Sequence, residues 1–218
     1  MQRRTTALIA RTASAFVIAW FALSGYATAE TLRAWVVMTA PTLSARDQTM
    51  VREEVDRIWA PYDVSLQWHD RAPEMDEWHH PVITIRVQDD AMRSRPKRGG
   101  AILGEVPVVE NLMLPRITIS PTAVQDLVAD GISPLNSYPR FAQVYPRFMG
   151  RVIAHELGHL LLQMRDHSKT GLMRAHFTFR DVVSNFRQGF HLEPRSVARL
   201  DSSRPSNSVR VAALTSSR

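Results

Sequence analysis

The chain has 218 residues, no cysteine, a hydrophobic share of 44% and a formal net charge of +6. The missing cysteine excludes disulfides, a thiol nucleophile and thiolate metal ligands, and leaves His, Asp and Glu for metal binding. Much of the positive charge is local: residues 1–29 carry Arg3, Arg4 and Arg11 and no acid, so without them +6 becomes +3, and no basic stripe interleaved with aromatics argues for a nucleic-acid partner.

The three arginines precede an apolar run from Ala13 to Leu23, and Ala27-Thr28-Ala29 supplies small residues for cleavage. That order predicts a secretory signal over 1–29, cleaved after Ala29, and so a secreted or periplasmic chain without a membrane partner once the signal is gone. The apolar run is short for a membrane span, with an uncleaved anchor as the alternative. The roughly 170 residues from 30 to 200 are enough for one hydrophobic core.

Leu32 to Met38 reads as a strand. Ser44 to Trp59 reads as an amphipathic helix, with Met50, Val51, Val55, Ile58 and Trp59 at helical spacings, acids in its first half and Pro61 to stop it. Val64 to Trp68 alternates apolar and polar, and Val82 to Val87 gives a further strand. Ala101–Val106 and Arg116–Ser120 are two more. Arg71–Pro81 and Arg93–Gly100 read as loops, and 121–145 as a loop with a short helix around Ala123–Ala129. His69, His79 and His80 read as surface residues, because none has a second ligand at a matching local spacing.

Residues 155–159 are His-Glu-Leu-Gly-His, inside an apolar stretch that reads as helix from Pro146 in its first turn to Leu162. On a helix, positions i and i+4 share a face, so His155 and His159 can bind one Zn²⁺ with Glu156 beside it as general base. The chemistry suggested is metal-assisted hydrolysis. A catalytic zinc needs a third protein ligand and an open position for water, and His167 follows soon after the helix should end.

With Gly158, His167-Ser168 and Gly171-Leu172-Met173 added, residues 155–173 resemble the metzincin clan of zinc peptidases, in its matrix-metalloprotease version. That pattern is His-Glu-x-x-His-x-x-Gly-x-x-His followed by a turn with a methionine beneath the metal. The chain departs from it after His159: Leu162 stands where the family has glycine, Arg165 where it has the third histidine, and His167 comes two residues later. A helix extended by half a turn and a short loop would return His167 to the metal, the extra residues spanning only about 3 Å of rise. Asp166, His176, His191 and Glu193 remain alternative third ligands.

The resemblance implies an α+β, zincin-like domain in which a twisted mixed sheet backs the helix carrying the histidines. It also implies a secreted metallopeptidase acting on peptide or protein substrates, with extended substrate lying along an edge strand, here read as 115–120. The competing readings are a non-catalytic zinc-binding protein on that scaffold and a zinc-dependent cell-wall amidase. Beyond the metal region, Phe179–Phe190 and Glu193–Leu200 read as short helices, and 201–218, Ser- and Arg-rich, as a disordered tail.

Overall fold

Alternation along the strands turns one face of a sheet toward two long helices. In the computed structural model, which describes residues 31–72, 81–89, 102–130 and 137–204, β1 (Leu32–Thr39) buries Ala34, Val36 and Met38 and leaves Arg33 and Thr39 outside. The helix α1 (Ala45–Trp59) starts at Ser44, whose hydroxyl accepts from the Asp47 amide, and seats Val51, Val55, Ile58 and Trp59 on that face. A 3₁₀ turn containing Pro61 then leads into β2 (Val64–His69), parallel to β1.

β3 (Val82–Val87) lies parallel on the other side of β1. Then come β4 (Gly104–Glu105), a hairpin of β5 (Val108–Val109) and β6 (Leu112–Met113), and β7 (Arg116–Ile119). The sheet order is β2-β1-β3-β7-β4, parallel throughout except β4, which runs antiparallel to β7. The sheet is therefore mixed, with helices packed against it.

Two strand expectations change. The run expected as a strand from Ala101 to Val106 pairs only at Gly104 and Glu105, and Ala101 lies outside the described residues. The strand at 116–119 is interior, paired with β3 on one side and, through Thr118 and Ile119, with β4 on the other; among the described strands β2 and β4 lie at the edges. The hairpin escaped sequence reading because Glu110 and Asn111 turn it at φ 48° and 69° without a glycine.

α2 (Pro121–Asp130) is longer than the short helix expected there. α3 (Ser137–Leu162) begins well before Pro146 and carries that proline in its interior. An internal proline forfeits one helical hydrogen bond, but Val144, Phe148, Met149, Val152 and Ile153 are all buried, and this packing outweighs the local penalty. The close approach of α1 and α3 requires Gly150, where a Cβ would meet Glu54 Cβ at 2.8 Å and the Val51 carbonyl at 2.9 Å.

The expected helix 179–190 divides into α4 (Phe179–Val183) and a 3₁₀ turn at Gln188–Phe190. α5 (Pro194–Ser203) runs past the boundary drawn at residue 200. The signal at 1–29, His79, His80, the loop 93–100 and the tail from 205 onward lie outside the described residues. No described helix is long and apolar enough to cross a membrane.

Candidate metal centre

Two imidazoles reach the site from one helix face. His155 and His159 are buried at 5% and 6% exposure, and each is held by a main-chain carbonyl: His155 Nδ1 by Leu172 O at 2.7 Å, His159 Nδ1 by Met164 O at 2.5 Å. A carbonyl only accepts, so each Nδ1 carries the proton and each Nε2 presents its lone pair. Those two Nε2 atoms face each other at 3.1 Å.

Burial disfavours a shared proton at that contact. It pushes His155 down to about 3, despite the Leu172 carbonyl, and neighbouring His159, His167 and Arg174 add in the same direction. His159 is also lowered, chiefly by burial. Two neutral nitrogens with converging lone pairs suit a cation.

His167 arrives from the loop. Its ring stacks on His155 at 5.3 Å and meets His159 edge-on at 5.0 Å, and ligand atoms of all three histidines lie within 4.8 Å of one another. It is more exposed than the other two, and burial again lowers its pKa, with His159 and His176 contributing. An all-imidazole set of this kind fits zinc.

The loop achieves this by a turn at Gln163, whose φ is 48°, one residue beyond the position at which the family pattern has glycine. The Met164 amide bonds back to the His159 carbonyl at 3.2 Å, which brings the Met164 carbonyl under the His159 ring. Arg199 of α5 donates to the carbonyls of Leu162 at 2.5 Å and Gln163 at 2.9 Å, satisfying acceptors that a helix end leaves open.

The second turn packs beneath the site. Leu172 and Met173 are buried, the Leu172 amide donates to the His191 carbonyl at 2.7 Å, and the Ser168 amide to the Met173 carbonyl at 2.7 Å. Gly171 stands at φ 73°, where a Cβ would meet the His191 carbonyl oxygen at 2.2 Å. A Cβ on Gly158 would lie 2.2 Å from Met173 Sδ, so helix and methionine touch only because residue 158 has no side chain.

Glu156 is 7% exposed and faces the edge strand. A Cβ on Gly104 would come within 2.8 Å of its Oε1, so this glycine makes room for the carboxyl. Burial, with Glu105 adding, pushes Glu156 up to about 8; a divalent cation on the imidazoles would favour its ionised form.

The other candidate ligands are occupied elsewhere or outside the cluster. Glu193 Oε1 accepts from the Thr170 amide at 3.1 Å and hydroxyl at 2.7 Å, and His191 Nδ1 bonds to the Gln188 carbonyl at 2.9 Å. Asp166 and His176 are not among the three clustered groups. His69, expected at the surface, is half-buried and stacks on Trp35 at 4.2 Å.

Sequence reading missed the supports under the histidine helix. Arg151, fully buried, donates from Nε to Glu54 Oε1 at 2.9 Å and from its guanidinium to the carbonyls of Asp181 at 2.5 Å and Ser184 at 2.8 Å. Arg187 binds the other Glu54 oxygen at 2.5 Å. Arg174, next to Met173, pairs with Asp181 at 2.9 Å and donates to the Gly189 carbonyl. The only signal was Glu54 and Arg151 falling on otherwise apolar helix faces.

No family model matches the chain, and no curated protein does. Among solved structures it is similar to archaemetzincin (amzA) from Methanopyrus kandleri, at 13% identity and a TM-score of 0.44, over 81% of this chain and 97% of that one.

Proposed function

We propose that the chain is a zinc-dependent metallopeptidase of metzincin-like, zincin-type fold, with His155, His159 and His167 as metal ligands and Glu156 as the general base. The observation that carries this is the convergence of three imidazoles, two of them with Nε2 atoms 3.1 Å apart, on the face of α3 beside a buried carboxyl.

When bound, zinc supplies an acidified water and polarises a carbonyl oxygen. Glu156 accepts a proton from the attacking water and delivers it to the departing amide nitrogen, a role served by its place one residue from His155 and its exclusion from solvent. The carbonyls of Leu172 and Met164 orient the two helix imidazoles and keep their Nε2 atoms unprotonated. Substrate main chain would extend along the side of β4 that no described strand covers, adding a strand to the sheet.

The same reading places the mature chain outside the cytoplasm, supported by the charged, apolar and small-residue order of residues 1–29. Peptide or protein is the substrate class.

The test is Glu156→Gln. It removes the base and neither imidazole, so zinc content should stay near that of the unsubstituted protein while hydrolysis of a peptide library falls by about 100-fold or more. Comparable turnover in both proteins overturns the role of Glu156. Turnover of peptidoglycan but no peptide by the unsubstituted protein replaces the peptidase with a cell-wall amidase.

A further inference from the structure

The segment between the edge strand and β7 is short and braced, and beside Glu110 and Asn111 at its tip it exposes apolar side chains to solvent. Val109 and Leu112 pair directly across the hairpin and are 52% and 68% exposed. Val108 and Met113 form the other pair, and Met113 leans on the core. The Leu114 amide donates to the Pro107 carbonyl at 2.9 Å, closing the base of the hairpin between Pro107 and Pro115. At its tip Glu110 and Asn111 both take positive φ, a conformation that the hairpin imposes on them.

The strand before the hairpin and the hairpin's tip each touch a residue of the candidate centre or of its loop. Gly104, just upstream, lies against Glu156. Asn111 Oδ1, at the tip, accepts from Arg165 Nη2 at 3.4 Å, and Arg165 stands two residues before His167. The hairpin thus continues the edge of β4 that no described strand covers toward the loop that carries the third histidine.

We infer, resting on the metallopeptidase reading, that Val109 and Leu112 determine specificity and take a bulky apolar side chain of the peptide bound along β4. An exposed cross-strand apolar pair loses water contact favourably only when something covers it. Two side chains are far short of the roughly 20 to 30 residues a side that a stable protein interface uses, which favours a peptide over a second copy of the chain. Apolar contact of this size discriminates modestly, by about tenfold.

The experiment reads binding apart from hydrolysis. Zinc-loaded Glu156→Gln protein is titrated with fluorescein-labelled peptides that differ only in carrying Leu or Ser at one position. Leu peptides should bind about tenfold more tightly than their Ser counterparts at one or more positions. Adding Val109→Ser and Leu112→Ser should abolish that difference, with the circular dichroism spectrum unchanged because both side chains lie outside the core; Leu112→Met should keep it. Unaltered discrimination in the double variant overturns the inference, as does no discrimination in the parent, or a dimer in sedimentation that the two substitutions dissociate. Peptide binding that depends on the hairpin, in a protein whose unsubstituted form hydrolyses no peptide, leaves the inference standing and removes the peptidase reading.

Discussion

The two halves of the candidate metal centre are built differently. His155 and His159 come from the interior of α3, buried, on neighbouring turns of one rigid element, whereas His167 is exposed and comes from a loop that turns at Gln163 without a glycine. Geometry in the first half follows from helical repeat; in the second it follows from distant segments, since Arg199, Glu193 and the His191 carbonyl all tie down residues 162–172. A preformed half and a tethered half teach that ligand spacing alone does not define a site.

The largest expected effect separates ligands from supports. His155→Ala and His159→Ala should each weaken zinc binding by more than about 100-fold, beyond what losing a supporting hydrogen bond costs. His167→Ala should also exceed that threshold but by less than the other two, because solvent reaches its place. Asp166→Ala and His176→Ala should stay within about threefold, as surface changes do. A zinc titration across these variants decides it: wild-type affinity in His167→Ala would break the tethered half of the comparison.

Next in size is the foundation of the rigid half. Arg151→Met strands Glu54 in a buried position with only Arg187 left, and should cost about 3–5 kcal/mol in urea unfolding. Glu54→Leu combined with Arg151→Met should recover part of that, since no buried carboxylate is left short of a partner and Arg187, 35% exposed, can turn to water. If the single variant unfolds like the parent, the buried pair is not what holds α3 to α1.

A smaller change probes the contact between the halves. Gly158→Ala places a methyl group where Met173 Sδ now lies and should cost about 1–3 kcal/mol as overpacking. Met173→Ala in the same chain should relieve the clash, which thermal melts of the single and double variants would show; an equally unstable double variant would locate the strain elsewhere.

The smallest expected effect is at the joint. Arg199→Ala withdraws two charge-assisted hydrogen bonds from the end of α3, in a partly exposed place, and should cost about 1–2 kcal/mol. Zinc affinity should fall with it, because the Gln163 turn loses its tether. Unchanged zinc affinity alongside lower stability would show that the turn holds its shape without α5.

How much was legible in residue order differs along the same line. Ala34, Val36 and Met38 of β1, and Val51, Val55 and Ile58 of α1, are buried at the periods their pattern carries, and residues 155–159 set two imidazoles on one face by the helical repeat. Those are local properties, and local spacing determines them. The early start of α3 through Pro146 was not legible, because packing of Val144 and Phe148 overrides proline's local penalty. The inner place of β7 was not either, since strand order depends on partners far apart in sequence.

By itself, then, the sequence determined the alternating strands, the amphipathic α1, the pair of helix histidines with Glu156 between them, and the set of residues that could supply a third ligand. Only the tertiary structure decided which of that set joins the pair, that β4 is the edge facing Glu156, and that Glu54 and Arg151 meet in the core. The reason is physical: a helix or strand repeats its geometry within a few residues, while a loop's course is the sum of hydrogen bonds and contacts made by segments that only folding brings together.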